Sequence, residues 1–155
     1  MTDTTPSRDR LGAVLAAAQF VGMAVLAVLG APRFLQGQAP AGAWLLAAAG
    51  AGVGAWALAH NRPGNFNIRP TPREGGQLVH EGPYRWIRHP MYSAVIGCGC
   101  ACAWAAGSAL AWLAAAALVA VLATKAHFEE RWMLQRHPAY GDYRRRTRRF
   151  VPWLF

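Results

Sequence analysis

Two polar clusters in an otherwise apolar sequence contain the residue types that could bind a ligand or do chemistry. The first is the stretch Gly82–Tyr92, which combines glycine, tyrosine, arginine and histidine. The second contains His127, Glu129 and Glu130. Imidazole, carboxylate, phenol and backbone amide groups around one opening would suit a cationic, amine-bearing ligand with further hydrogen-bonding groups. Such a site requires that the intervening chain bring the two clusters together.

The residues between the clusters predict two helices joined by a tight turn. No charged residue occurs at positions 92–124. Proline is favoured at the first helical position, because its missing amide hydrogen would be unpaired there in any case. We therefore expect a helix from Pro90 to about Ala106, a turn at Gly107-Ser108, and a further helix from about Ala109.

The register of this hairpin brings the clusters to the same level. With the chain reversing at the turn, Pro90 lies opposite Lys125, and Glu129 and Glu130 follow about one helical turn, or roughly 3.6 residues, later. We expect His89 to meet Glu130. Separately, paired glutamates are typical of a solvated helix end and a histidine of an interfacial anchor, so their matched depth is the argument for a site.

Composition predicts an all-α integral membrane protein. A chain of 155 residues is at most one domain, and 54% of its residues are hydrophobic. Residues 11–30 and 41–59 each approach the roughly 20 apolar residues that span a bilayer. We expect about four transmembrane helices: two anchor helices within residues 10–60, the first ending at Ala31-Pro32, and the hairpin. Residues 61–155 then comprise a cofactor-binding loop, the hairpin and a basic tail.

Charge indicates the orientation of the chain rather than a nucleic-acid partner. The net charge is +9, and the arginines flank the hydrophobic runs. Because Lys and Arg are enriched in cytoplasmic loops, we expect both termini and residues 60–89 to be cytoplasmic and residues 31–40 to lie outside. The first apolar run is longer than the core of a signal peptide, so we expect it to remain as a helix. An arginine- and alanine-rich composition suggests a bacterial inner membrane.

The long polar loop and the cysteines have different interpretations. Residues 61–88 contain four prolines and five arginines, and ordered loops of this length are usually functional. Residues 77–79 are expected to be strand-like.

Cys98, Cys100 and Cys102 are interpreted as small packing residues, and we expect no metal site because no complementary ligand set accompanies them.

Several motifs in the second half of the chain, from about residue 65 onward, resemble the isoprenylcysteine carboxyl methyltransferase family. Phospholipid N-methyltransferases share much of this pattern. The first two helices match only as generic apolar spans. The motifs are Leu78-Val79, Gly82-Pro83-Tyr84-Arg85, Arg88-His89-Pro90-Met91-Tyr92, Glu129-Glu130, Tyr140-Gly141, Tyr143 and Arg149-Phe150-Val151-Pro152.

The resemblance implies a membrane methyltransferase that uses S-adenosylmethionine and releases S-adenosylhomocysteine. It implies a cytoplasmic cofactor pocket formed by the last two helices and their flanking loops, with Tyr84 or Trp86 able to stack on adenine or face the sulfonium. The cofactor-binding residues that it implies are Leu78, Val79, Gly82, Tyr84, His89, Pro90, Tyr92, Glu129 and Glu130.

The methyl acceptor is left open, with a lipophilic small molecule or phospholipid preferred and the bilayer as the main partner. A carboxylate acceptor could be oriented by Arg148 or Arg149, which could equally bind lipid headgroups. An amine acceptor would need a base, for which Glu81 and His127 are the available residues. The oligomeric state is not indicated.

Two other classes of function fit parts of the sequence. Membrane sterol reductases, which bind NADPH, resemble this family in their C-terminal half, although this chain lacks their additional helices. A non-catalytic protein could use the basic loop and tail to bind lipid or a partner, but that interpretation leaves the matched depth of His89 and Glu130 unexplained.

Overall fold

The computed structural model describes residues 5–61 and 78–154, with side chains described from residue 10 onward. Over this part of the chain the regular secondary structure is helical, as predicted, and no strand is present. A short 3₁₀ turn precedes the third helix. The elements are α1 (Thr5–Leu35), α2 (Ala41–His60), the 3₁₀ turn (Gly82–Arg85), α3 (Pro90–Ala106), α4 (Ala109–Arg136) and α5 (Tyr140–Arg146).

Three of these helices are long and apolar enough to cross a membrane. The candidate spans are Arg10–Leu35, Ala41–His60 and Ala109–Arg136, whereas α3 is apolar but shorter. Large apolar side chains such as Val28, at 74% exposure, face outward from the bundle, where lipid can cover them. The architecture therefore agrees with the predicted integral membrane protein of about four transmembrane helices.

The first helix continues past the proline that was expected to end it. The prediction that α1 stops at Ala31-Pro32 is wrong, because the helix includes Pro32 and ends at Leu35. Proline removes one backbone donor and strains the preceding turn, but Pro32 lies in the last turn. The carbonyl of Pro32 still accepts from the amide of Gln36 at 3.0 Å, so the chain closes one more turn beyond it.

The predicted hairpin of α3 and α4 is confirmed, including its turn. Gly107 ends α3 in the left-handed conformation, with φ of 62°, which glycine adopts without steric cost. Ser108 then caps α4, and its hydroxyl accepts from the amide of Ala111 at 3.2 Å. Each side of the turn thus satisfies backbone groups that would otherwise be exposed in the membrane.

Helix α3 lies at the centre of the bundle and packs against α1, α2 and α4. Small residues allow the backbones to approach closely. A Cβ at Gly30 of α1 would lie 2.5 Å from the carbonyl oxygen of Cys102, so only glycine fits there. The three cysteines are half-buried and unpaired within α3. The buried core is formed by Leu26, Ala103, Ala111, Ala115, Leu118 and Leu122.

The expected strand-like segment is not formed where the structure describes it. Leu78 and Val79 have no regular secondary structure, and Gln77 lies outside the described residues. Instead, an isolated parallel bridge joins Ile87 to Arg148. This bridge connects the loop before α3 to the C-terminal segment, which the sequence did not indicate.

Candidate active site

Glu130 of α4 is the buried centre of a network of basic side chains. Its side chain is 2% exposed, and its Oε1 lies 2.9 Å from Arg88 Nε. The same oxygen lies 3.2 Å from His89 Nε2, so the predicted meeting of His89 and Glu130 is confirmed. Arg149 Nη2 donates to Oε2 at 3.1 Å, and Arg144 Nε lies 3.6 Å from that oxygen. One carboxylate therefore holds three guanidinium groups and an imidazole.

Glu129 is the more accessible of the two carboxylates. Its side chain is 24% exposed, and its Oε2 lies 3.5 Å from His89 Nδ1. The hydroxyl of Tyr92 donates to the same oxygen at 3.0 Å. The rings of His89 and Tyr92 are stacked, with centroids 5.2 Å apart and planes 5° from parallel. His89 thus lies between the two glutamates, with one ring nitrogen facing each.

The network is closed by a C-terminal strap, residues 147–150. Its backbone pairs with the chain before α3: Arg88 N donates to Arg148 O at 2.8 Å, and His89 N donates to Arg149 O at 3.1 Å. The hydroxyl of Ser93 donates to Phe150 O at 2.6 Å. These bonds hold the strap against the start of α3. The side chain of Arg149 is directed to Glu130, while that of Arg148 is exposed.

Arg88 joins the hairpin, α5 and the strap, although the sequence analysis treated it only as part of a motif. Its Nη1 donates to Thr147 O at 2.5 Å and to Arg144 O at 3.2 Å, in addition to the bond from Nε to Glu130. Its position directly before His89 was the available signal; Arg144 offered none. Because these arginines surround Glu130, the cluster is not the net acidic site that the two glutamates suggested.

The loop before α3 is held by a glycine and by a tyrosine hydroxyl. Gly82 has φ of +57°, and a Cβ there would lie 2.4 Å from the ring of His60. The hydroxyl of Tyr143 donates to Tyr84 O at 2.8 Å. Burial raises the pKa of Tyr84 to about 12, so its own hydroxyl stays protonated at neutral pH. Trp86 contacts Trp56 of α2 at a centroid distance of 5.5 Å rather than the cluster.

The other residues singled out from the sequence lie outside the network. Leu78 and Val79 are half-buried on the loop, and Pro90 is buried at the start of α3. Glu81 and His127 are exposed, and the ring of His127 contacts its neighbour Phe128 rather than the glutamates. His127 therefore does not join Glu129 and Glu130 in one cluster, because its side chain is exposed and none of the contacts of the two glutamates involves it.

A polar pocket of about 570 Å³ adjoins the cluster. Two of its lining residues also contact residues at or beside the Glu130 network. The backbone oxygen of Thr147 accepts from Arg88, and the hydroxyl of Tyr143 donates to the backbone oxygen of Tyr84. Its volume lies within the roughly 300–1,000 Å³ typical of small-molecule sites. The lining residues are His80, Arg85, Ala139, Asp142, Tyr143, Arg146 and Thr147.

An apolar cleft of about 500 Å³ lies between the helices of the bundle. It is lined by residues of α1, α2, α3 and α4 and follows α3 from Met91 to Cys102. Met91, which lines the cleft, directly precedes Tyr92 in the sequence. Other lining residues include Met23, Leu58, Val95 and Leu118.

The model of a family described as phospholipid methyltransferase matches residues 43–141. The match covers well over half of the chain. The chain belongs to the phospholipid methyltransferase family. Searches of curated proteins and of solved structures found no match.

Membership of the phospholipid methyltransferase family agrees with the resemblance in the sequence motifs and makes methyl transfer the class of activity. The matched range contains α2, the loop before α3, and the hairpin with His89, Tyr92, Glu129 and Glu130. The whole of α1 and the whole C-terminal strap lie outside it. The family match therefore does not extend to the contacts that these two segments make with the hairpin.

Proposed function

We propose that the protein is an S-adenosylmethionine-dependent methyltransferase that acts on a lipophilic or phospholipid acceptor at the cytoplasmic face of a bacterial inner membrane. The observation that carries the proposal is the convergence of His89, Glu129 and Glu130 on the family-matched hairpin, next to both a polar pocket and an apolar cleft. A membrane methyltransferase needs both kinds of cavity, because its cofactor is polar and its acceptor is not.

The residues of the cluster and pocket fit the cofactor chemically. S-adenosylmethionine carries ribose hydroxyls and an ammonium that require acceptors, and a carboxylate that requires donors. Glu129 is a partly exposed acceptor, and the polar pocket offers Arg85 and His80 as donors. Backbone groups at Leu78, Val79 and Gly82 would contact the cofactor, as the family resemblance implies.

We assign different tasks to the two glutamates. Glu129, whose side chain is partly exposed, contacts the cofactor directly together with Tyr92. Glu130 is enclosed by arginines, so it acts by fixing His89, Arg88 and the C-terminal strap in position. Tyr84 stays protonated, so it can donate a hydrogen bond but cannot serve as a base.

The protein's part in the reaction is alignment and exclusion of water. The cofactor supplies a methyl group already activated by its positive sulfur. The hairpin and strap hold that group in line with the acceptor's nucleophile and keep water away, and both effects accelerate a displacement reaction. Packing of the strap on α3 through Ser93 and Phe150 provides the exclusion.

The apolar cleft is proposed to hold the hydrocarbon part of the acceptor. A chain lying along α3 from Cys102 to Met91 would deliver its polar end to the cluster. Arg149 is engaged with Glu130, whereas the side chain of Arg148 is exposed. Arg148 is thus the better placed of the two predicted arginines to contact an acidic headgroup, and Arg149 would orient the acceptor while remaining bound to Glu130.

Calorimetry on detergent-purified protein tests the cofactor assignment. We expect S-adenosylmethionine and S-adenosylhomocysteine to bind and NADPH to give no heat. Transfer of a labelled methyl group to lipid in nanodiscs then tests the acceptor class. Absence of binding by either adenosyl compound in folded protein would overturn the proposal, and binding of NADPH alone would favour a reductase.

A further inference from the structure

A lysine is buried inside the bundle, one helical turn before Glu129. The side chain of Lys125 is 1% exposed, and its ammonium donates to Gln19 Oε1 of α1 at 2.5 Å. Ionisable groups in membrane-spanning helices are costly, face the bundle interior and commonly mark functional sites. The neighbouring residues of both helices are mostly apolar, so this polar contact requires an explanation beyond packing.

The ammonium of Lys125 connects directly to the candidate active site. It lies 5.2 Å from the centroid of the Tyr92 ring, within the distance at which a cation is attracted to an aromatic face. The hydroxyl of the same ring donates to Glu129. Lys125 therefore contacts the body of the side chain whose polar end holds the accessible carboxylate.

Gln19 connects the same lysine to the apolar cleft. Its amide nitrogen donates to the sulfur of Met23 at 3.8 Å, and Met23 lines the cleft. The sequence pattern predicts α1 to be an anchor helix, and Gln19 lies outside the range matched by the family. The contacts place a polar residue of this helix between the cleft and the ammonium.

We propose that Lys125 and Gln19 are positioning residues that fix the orientation of Tyr92 and, through its hydroxyl, of Glu129. On this basis α1 helps to position the residues of the active site, through Gln19. The proposal rests on the proposed function, since it assumes that Glu129 contacts the cofactor. Neither residue touches the reacting atoms, and each acts through the Tyr92 ring.

Stability and cofactor binding should respond in different directions if the pair has this role. Replacing a buried polar pair with apolar residues of similar volume is often neutral or stabilising. A merely structural pair would therefore leave cofactor binding unchanged when both residues become apolar. A positioning pair would lose affinity although the fold is retained.

The experiment measures thermal unfolding and the affinity for S-adenosylhomocysteine in Lys125→Met, Gln19→Leu and the double variant. Leu122→Met, which lies on the same buried face without a polar partner, is the control. For the double variant we expect unchanged or higher thermal stability and about a tenfold loss of affinity, the size that coupling within one network gives. The control should retain both properties.

A double-mutant cycle with Tyr92→Phe identifies the route of the effect. Without the hydroxyl bond to Glu129, Lys125→Met should cause little further loss of affinity. Gln19→Leu leaves the hairpin intact and tests the same link if Lys125→Met does not fold. Two results would overturn the proposal. One is wild-type affinity for S-adenosylhomocysteine in the variant that combines Lys125→Met with Gln19→Leu. The other is fully additive losses of that affinity when Lys125→Met is combined with Tyr92→Phe. If wild-type protein bound no adenosyl compound, the proposed function itself would fail.

Discussion

Arg149 donates to both carboxylate oxygens of Glu130, from Nε to Oε1 at 3.2 Å and from Nη2 to Oε2 at 3.1 Å. Glu130 belongs to the hairpin, whereas Arg149 belongs to the C-terminal strap. The backbone of the same strap also accepts hydrogen bonds from Arg88 and His89. The strap is therefore held both by a side-chain ion pair and by backbone hydrogen bonds. The end of the chain is therefore part of the site and not only a basic tail.

Removing the strap is expected to lower both stability and cofactor affinity. Truncation after Thr147 would delete Arg149 and the backbone partners of Arg88 and His89. Breaking a buried ion pair costs roughly 3–5 kcal/mol, but Arg149 is 20% exposed, so we expect about 1–3 kcal/mol here. The unfolding temperature in detergent should fall by several degrees, and calorimetry should detect little binding of S-adenosylhomocysteine.

The matched control for that truncation ends the chain after Val151. It removes Trp153 and Leu154, which are 84% and 83% exposed, and keeps the strap. This variant should retain the unfolding temperature and the affinity of the full chain. Equal losses in the two truncations would show that the strap's bonds to the hairpin contribute nothing specific.

The two glutamates should respond differently to neutralisation. Glu130→Gln leaves the 8%-exposed guanidinium of Arg88 without its ionic partner, so we expect a loss of about 1–3 kcal/mol in both stability and cofactor affinity. Glu129→Gln should leave the unfolding temperature nearly unchanged, because that carboxylate is partly exposed, while weakening cofactor binding by a similar amount. Calorimetry and thermal unfolding on both variants separate the two roles.

Two results would contradict the different roles assigned to Glu129 and Glu130. If Glu129→Gln binds S-adenosylhomocysteine like the wild type, Glu129 does not contact the cofactor. If Glu130→Gln keeps full affinity while losing stability, Glu130 supports the fold alone.

Gly82 should not tolerate a side chain. Gly82→Ala would place a Cβ 2.4 Å from the His60 ring at a positive φ, which costs an L-residue roughly 1–2 kcal/mol before any clash. We expect displacement of the loop and weaker cofactor binding, measured by calorimetry. Gly141→Ala is the control, since a Cβ there meets nothing within 4 Å and φ is not positive; that variant should bind normally.

Local patterns in the sequence predicted the hairpin and its central contact. Pro90, Gly107 and Ser108 set the ends and the turn of two regular helices, and regular geometry then fixed which residues lie opposite one another. The contact between His89 and Glu130 follows from that register alone. The end of α1 was predicted wrongly, because a proline in the last turn loses only one bond.

Contacts between distant segments could not be predicted in the same way. Lys125 and Gln19 are separated by 106 positions, and nothing in either helix specifies which of its faces meets the other. Two of the three arginines near Glu130, Arg144 and Arg149, come from α5 and from the chain end that folds back after it. Their positions depend on that reversal, which has no periodic pattern, so they had been interpreted only as signals of membrane orientation or possible acceptor contacts.

The apolar cleft should control affinity for the acceptor rather than for the cofactor. Ala55 lines the cleft, and Ala55→Phe would fill part of it. We expect the KM for a lipid acceptor to rise by about tenfold, a size typical of steric change in an apolar pocket, with unchanged affinity for S-adenosylhomocysteine. Ala59→Phe, one turn further along α2 on an exposed position outside the cleft lining, should leave the KM unchanged. Equal effects of both substitutions would argue against the cleft as the acceptor site.

The orientation of the bundle can be tested by labelling single cysteines from either side of the membrane. The native cysteines, three in number, are first replaced by alanine. Gln36 lies exposed between α1 and α2, and Arg145 lies exposed on α5, at the opposite end of the spans. Because Lys and Arg favour the cytoplasmic side, an impermeant reagent added outside should label Gln36→Cys and not Arg145→Cys. The reverse labelling pattern would place the site on the outer face of the membrane. Cytoplasmic S-adenosylmethionine could not reach it there, so that result would contradict the proposed reaction.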